Sequence, residues 1–402
     1  MKNTFPGYRK KTDEEIKNIW SKGTICFDAN VLLNLYRYSN NTRKTIIELI
    51  QKLKKNIWLP HQAALEYNRN RYEVIAAQEK AYKEFIDKIS QIEKDLQSTS
   101  KPPFLSDRVH SSLNKVFKDV NKEVEDSIKK YCDLLKDDPI YDELSEIFQN
   151  KISNPFTEEI LTEIYSEGKE RFEKKIPPGY EDEKNKKGDR KYGDLVLWKQ
   201  IIEKAKESKK PIIFITDERK TDWWWKIKDG RNMGPRQELA EEIMREANVE
   251  FHMYSSERFL SYGLSYLEEQ VNKKALAELQ EMKRSEMAHL RNQKKRDTLD
   301  KAHFEQKMRF QDESKFFEIR LEEFNHKIKS LKNHMRHLEM DDDENPEVRE
   351  YLHNNSRHLH ELIEERNELT HRLDQLSSQK DKWYLRKERG RFYSGEETDK
   401  NN

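Results

Sequence analysis

Cysteine is scarce in this 402-residue chain: Cys26 and Cys132 are the only two, far apart and in unlike contexts. Neither a disulfide framework nor a cysteine-based zinc site is indicated. Long apolar runs are missing as well. No segment approaches the roughly 18–20 apolar residues that span a bilayer, so no membrane association is expected. The opening stretch, MKNTFPGYRKKTDEEIKNIW, holds no apolar segment of signal-peptide length, and a cytoplasmic location is expected. Charge of one sign is not in excess: 77 Lys and Arg stand against 76 Asp and Glu, a net charge of +1. A strongly basic chain, the easiest marker of a nucleic-acid binder, is therefore absent, and any such function must rest on particular residues. Apolar residues make up 34% and charged residues 38%, where an ordinary globular domain is roughly 45–50% apolar and about 25% charged. The length allows about two or three domains. The apolar shortfall places part of the chain in an extended, solvent-washed helical element.

Composition divides the chain near residue 268. Before it, four short β-like runs alternate with helical patterns: Thr24–Asp28, Ile57–Pro60, Pro211–Thr216 and Val249–Tyr254. Such alternation predicts an α/β domain, about 1–265, with a parallel sheet covered by helices. The unbroken apolar run Ile212–Ile215 reads as a central strand buried on both faces. Helical patterns flank it over Asp194–Ser208 and from Gly234 to Ala247, where Pro235 suits a first helical turn. Between the second and third runs lies a charged, mostly helical insert, about 75–188, broken at Pro102-Pro103 and Pro177-Pro178-Gly179. Its stretch Phe172–Arg190 reads as a mobile loop. The whole is too long for a simple connection, so it is either a helical subdomain or an arch over the sheet edge.

Beyond 268 the pattern becomes a coiled coil. Leu321, Phe324, Ile328, Leu331, Met335 and Leu338 alternate steps of three and four. A second stripe, Leu352, Leu359, Leu362, Arg366, Leu369, Leu373 and Leu376, follows the Pro346-containing break. An antiparallel α-helical hairpin over 268–390 is expected, turning at about 341–346, with helices of roughly 95 and 65 Å. Residues 391–402 read as a disordered tail. The first helix overshoots its partner, and Arg284–Lys301 is either a lone helix or a surface awaiting one. Seven of the twelve histidines lie between His326 and His371; solvated flanks of the hairpin account for them better than a metal site.

Acidic residues occupy telling places in the α/β part. Asp28 ends the first strand and Asp217 the central one, and ligands in open parallel sheets bind beyond the carboxyl ends of strands. Asp194 opens the helix before the central strand, where it is either an N-cap or points across the same edge. Glu66 lies about two turns into the helix after the second strand. Each has an ordinary reading as a cap, a turn former or a solvated helix residue. Jointly, carboxylates converging on one edge need a cation, because like charges a few ångströms apart repel. Mg²⁺ or Mn²⁺ prefers such oxygen donors and leaves room for phosphate, which points to metal-dependent phosphodiester hydrolysis.

At these residues the chain resembles the PIN-like nucleases, in the branch with a large insert. The matching text is Phe27-Asp-Ala-Asn-Val-Leu-Leu-Asn-Leu-Tyr36, Trp58-Leu-Pro-His-Gln62 with Glu66 and Asn70-Arg71, Tyr192-Gly-Asp-Leu-Val-Leu-Trp198, Ile215-Thr-Asp217 and Asp222-Trp-Trp224, within about 22–265. The resemblance implies a Rossmann-like fold and a divalent-metal nuclease, most often acting on RNA. Position by position, Asp28, Glu66, Asp194 and Asp217 match the acidic quartet, Asn30 orients Asp28, Thr216 lines the site and Asp222 is a candidate fifth acid. The chain departs from small toxin-type members in its coiled coil and in the 128 positions between Glu66 and Asp194. Larger bacterial relatives read as defence or stress effectors.

Around the expected site, Arg69, Arg71, Arg219, Lys220 and Arg236 are either phosphate grips or ordinary surface charges, with Arg236 the best placed at a helix start. The run Trp223-Trp224-Trp225 either packs its loop or stacks on unpaired bases, and Trp224, Arg236, Arg71 and Lys220 are the expected nucleic-acid contacts. The leading expectation is a Mg²⁺- or Mn²⁺-dependent endonuclease preferring RNA, with a homo-oligomer or protein partner engaged through the coiled coil. A structure-specific DNA nuclease threading a strand under the insert, and a non-catalytic scaffold, are the rivals.

Overall fold

The computed structural model describes residues 6–97, 103–183, 188–341 and 346–393. It divides into two compact units, Met1–Arg284 and Ser285–Asn402. Pro102, residues 184–187 of the expected loop, the side chain of Leu338, the turn over 342–345 and the tail from 394 lie outside the described residues.

In the first unit the described strands are β1 (Thr24–Phe27), β2 (Ile57–Trp58), β3 (Ile212–Ile215), β4 (Trp224–Lys226), β5 (Asn232–Pro235) and β6 (Phe251–Tyr254). Four of them form one sheet in the order β2-β1-β3-β6, parallel throughout. These are the four expected runs. β3 lies between β1 and β6 and is buried at every position, as its unbroken apolar text requires. From β1 the chain steps outward to β2, then returns past β1 to β3 and on to β6. The order therefore reverses between β1 and β3, and the carboxyl ends of these two strands flank the crevice. β4 and β5 make a separate antiparallel ribbon that the sequence reading did not foresee.

Helix α1 (Asp13–Lys22) starts with a capping box, Thr12 accepting from the Glu15 amide and Glu15 from the Thr12 amide. Helices α2 (Ala29–Asn34) and α3 (Asn40–Lys52) connect β1 to β2. The insert is helical, as expected: α4 (His61–Gln97) runs outward from the edge of the sheet and α5 (Asp107–Leu134) packs along it, with Tyr82 against Tyr131 at 5.6 Å and Ile89 and Val124 buried further along. Helices α6 (Pro139–Ile147) and α7 (Glu158–Glu173) complete it. The insert's inner end is part of the common core. Tyr131, Leu134, Ile140, Leu144, Phe148 and Ile164 belong to the same apolar cluster as the strands. Ile152 also bridges Leu59, extending the sheet beyond β2.

Helices α8 (Gly193–Ser208), α9 (Gln237–Ala247) and α10 (Ser256–Tyr266) cover the sheet downstream. Pro235 does not open α9. It ends β5 opposite Trp224, and Arg236 follows as the N-cap, its amide donating to the Trp223 carbonyl at 2.9 Å. The ribbon claims this backbone before the helix can. Helix α11 (Lys273–Asp341) begins inside the first unit: Ala275 and Leu279 are buried in its core, and Glu278 accepts from the Ser39 amide and hydroxyl and from Thr42, each at 2.6 Å.

In the second unit, α11 continues and α12 (Pro346–Tyr393) folds back beside it. Trp383 meets Phe310 at 6.0 Å and His303 at 5.6 Å, while His334 meets Tyr351 at 5.9 Å. Positions late in α12 thus face positions early in α11, which is the antiparallel hairpin. Phe310, Phe324, Ile328 and Leu376 are its buried residues, and the other expected seam positions with described side chains are half-buried. Residues 283–302 are exposed throughout. No helix among the described residues is long and apolar enough to cross a membrane.

Because Ile328 belongs to the hairpin seam and not to the apolar cluster of the first unit, Ile328→Asp should melt the hairpin and spare the α/β unit. Circular dichroism at 222 nm should lose one thermal transition and keep the other; two unchanged transitions would contradict the seam.

Candidate active site

The parallel register positions the first acid. Phe27 pairs with Ile215, so the residues that follow, Asp28 and Thr216, leave the sheet side by side. The Asp28 amide donates to the Ile215 carbonyl at 2.9 Å. Asp28 is the N-cap of α2, yet its carboxylate makes no capping bond. It turns to the sheet edge, where Oδ2 accepts from the Thr216 hydroxyl at 2.6 Å and from Asn30 Nδ2 at 2.7 Å. Asn30 also accepts from the Asp217 amide at 3.1 Å, which ties the two strand ends together. Among the described residues Oδ1 of Asp28 receives no hydrogen bond.

Asp28 is half-exposed to solvent but surrounded by protein. Burial pushes its carboxyl up to about 8, against the Thr216 hydrogen bond, with the like charges of Glu66, Asp194 and Glu218 adding to the rise. These acids come from separate stretches. Glu66 lies in α4, its Oε1 accepting from Gln62 Nε2 one turn earlier at 2.6 Å. Asp194 sits in the first turn of α8, not at its cap, which is Tyr192. Gly193 makes their approach possible: a Cβ there would stand 2.9 Å from Glu66 Oε1. A side chain there would displace the Glu66 carboxylate from its place beside Gln62.

A lysine sits among the carboxylates. Nζ of Lys220 lies 2.7 Å from Asp182, 3.1 Å from Glu218 and 3.3 Å from Asp194. Burial works against its charge, but Asp194, Glu218 and Asp182 outweigh burial and hold the ammonium protonated well above the ordinary lysine range. Its employment is as a counter-ion, not an outward phosphate grip. Glu218 and Asp182 were missed by sequence reasoning. Glu218 had a signal, since it directly follows Asp217; Asp182, in a charged loop, had none.

Asp217 takes a different course. Its carboxylate accepts from Asn34 Nδ2 at 2.9 Å, the Ser256 amide at 2.9 Å and the Ser256 hydroxyl at 2.7 Å. The register explains this: Tyr254 pairs with Ile215, so Ser256 comes level with Asp217. Asp222 is fully buried, and Oδ2 accepts from the amides of Gly179 at 2.9 Å and Glu181 at 3.2 Å. Burial raises its carboxyl to about 6, with Asp194 and Glu181 contributing and Lys220 opposing. It clasps the end of the insert to the loop after β3.

The expected phosphate grips are largely occupied. The Arg71 guanidinium lies 3.9 Å from the Tyr141 ring centroid and 3.4 Å from Asp138, locking α4 to α6. Arg236 pairs with Glu238, Nε to Oε2 at 3.0 Å. Arg69 is exposed. Trp223 and Trp224 are buried, Trp223 donating its indole N–H to Asp194 at 3.3 Å, while Trp225 is half-exposed.

Among the described residues no three acids or histidines already stand at coordination spacing. The donor chemistry nevertheless suits a hard cation, since the crevice offers carboxylate oxygens from four acids, with Asp28 Oδ1 unclaimed and one lysine as counter-charge.

A model of the PIN like domain matches residues 24–239, more than half of the chain, from the start of β1 into the first turn of α9. The chain belongs to the PIN-like domain family. No curated protein and no solved structure matches it. PIN domains are usually nucleases and generally use divalent metals, so the family carries a nuclease-type function to this fold. The matched span runs across the helical insert and every acid of the crevice.

Clustered carboxylates destabilise a metal-free PIN-like crevice. A carboxyl raised in the folded state favours folding when protonated, and that contribution is lost as pH climbs from about 4 through 8. Asp28→Asn should therefore raise the melting temperature in EDTA by about 2–6 °C at pH 8, with a smaller gain at pH 5. Calorimetry at both pH values tests this, and an equal or lower melting temperature at pH 8 would contradict it.

Proposed function

We propose that this chain is a divalent-metal-dependent endonuclease that hydrolyses phosphodiester bonds, with RNA preferred. The observation that carries the reading is the convergence of Asp28, Glu66, Asp194 and Glu218 on one crevice at the point where strand order reverses. Asp28 and Asp194 are the assigned ligands of Mg²⁺ or Mn²⁺, with Glu66 a ligand or the residue that orients water. Glu218, rather than Asp217, completes the set on this reading, because three donors already hold the Asp217 carboxylate. When bound, such ions activate water and stabilise the leaving oxygen.

The chain's own residues do the positioning. Thr216 and Asn30 hold Oδ2 of Asp28, so that Oδ1 faces the crevice. Gln62 aims Glu66, and Gly193 admits it. Asp217 fastens the loop after β3 to the start of α10, and Asp222 fastens the insert's end to the same loop. Lys220 neutralises part of the charge of Asp194 and Glu218.

RNA is preferred over the threaded-DNA alternative on the family resemblance alone, since PIN-like nucleases most often act on RNA. The hairpin after the domain is assigned to self-association or to a protein partner, and the whole to a cytoplasmic defence or stress role.

Purified chain with Mn²⁺ should cut folded RNA faster than flap DNA, and Asp28→Asn should slow cutting at least about 100-fold while the fold persists. If neither nucleic acid is cut, or the variant cuts as fast as the parent, the enzyme reading is wrong.

A further inference from the structure

The segment Arg219–Arg236, which holds the β4–β5 ribbon, concentrates charge that the chain as a whole lacks. It carries six basic residues (Arg219, Lys220, Lys226, Lys228, Arg231 and Arg236) against two acidic ones, Asp222 and Asp229, a net of +4. With the whole chain at +1, everything else sums to −3. The cations spread along the segment. Lys220 is drawn into the acids and Arg236 into Glu238, whereas Lys228 and Arg231 are exposed near the ribbon's turn, Arg231 paired only with its neighbour Asp229 on the surface. Exposed pairs of that kind contribute little and exchange readily for a phosphate.

Packing explains two of the three consecutive tryptophans. Trp223 and Trp224 are buried, and Trp225 is not. Its cross-strand neighbour is Gly234, which has φ +134, and a Cβ built there meets nothing within 4 Å. The space over Gly234, where a cross-strand side chain would pack, is therefore open. Tyr8, 56% exposed, meets the same ring edge-on at 6.2 Å. The ribbon also shifts register between Trp225 and Lys226, a distortion that turns side chains away from regular pairing.

We propose that Trp225, flanked by Tyr8 and by the cations of the β4–β5 ribbon, is a stacking platform for an unpaired base of single-stranded nucleic acid. An indole face accepts any base, whereas a duplex keeps its faces stacked within itself. The place relative to the acids suits this use. Trp223, whose indole donates to Asp194, lies two residues before Trp225, so a base held at Trp225 is at most about 7 Å of chain from a residue that touches an acid of the crevice. The inference rests on the nuclease reading for the fate of the strand, but binding can be measured without cleavage.

The test uses the full chain in EDTA with a fluorescein-labelled 20-nucleotide oligouridylate and an RNA duplex of equal length. Fluorescence anisotropy should show tighter binding of the single strand. Trp225→Ala should weaken that binding about 5- to 100-fold, and Trp225→Phe should restore most of it. Lys228→Gln with Arg231→Gln should lower the salt dependence by about 1.4 in the slope of log K against log salt, about 0.7 for each cation removed. Binding by Trp225→Ala within twofold of the parent, or equal affinity for the duplex, would overturn the platform. Tight, Trp225-dependent binding by a protein that cuts nothing would keep the platform and remove the nuclease reading. Cleavage with Trp225-independent binding would do the reverse.

Discussion

The pairing of Phe27 with Ile215 across β1 and β3 is the constraint from which the crevice follows. In a parallel ladder a shift of one residue would turn every side chain to the opposite face, and with both strands wholly buried no such shift is tolerated. Asp28 and Thr216 are therefore delivered side by side at the point where the strand order reverses. The neighbouring pairing of Ile215 with Tyr254 decides the fate of the next acid in the same way, by bringing Ser256 level with Asp217. Two aspartates that look equivalent in sequence become different groups: among the described residues one keeps an oxygen without a hydrogen bond, and the other accepts three.

Electrostatics is the second theme. Asp28, Glu66, Asp194 and Glu218 gather in partly desolvated surroundings, an arrangement that opposes folding unless charge is supplied. Part comes from Lys220, which reaches Asp182, Glu218 and Asp194 at once. Burial pushes the Asp28 carboxyl the same way as its like-charged neighbours do, toward its protonated form. A fold that accepts this cost at one edge and meets it elsewhere, through a core that extends into the insert and the first turns of α11, has the usual economy of a functional site.

Much of this was legible in the text. Four apolar runs announced the parallel sheet, and alternating steps of three and four announced the hairpin, because both patterns record burial directly. Asp28 and Asp194 could be named because strand ends and helix starts follow from those runs, and Glu66 because its place in the helix after the second strand matches the resemblance. The charged side chains were harder. Arg71 and Arg236 look alike as lone cations in a sequence, but Asp138 with Tyr141 claims one and Glu238 the other. The β4–β5 ribbon was missed because its few strand residues include Gly234 and Pro235, which read as breakers when seen alone.

By itself the sequence determined which segments bury and with what period, and so the sheet, the hairpin and the strand ends at which acids stand. Side-chain partners across long separations were decided only in three dimensions: Asp217 with Ser256, Lys220 with Asp182, Gly193 with Glu66. The physical reason is that burial is a property each residue largely carries in its own chemistry. A carboxylate's partner, by contrast, depends on which surfaces the completed core brings within a hydrogen bond's length.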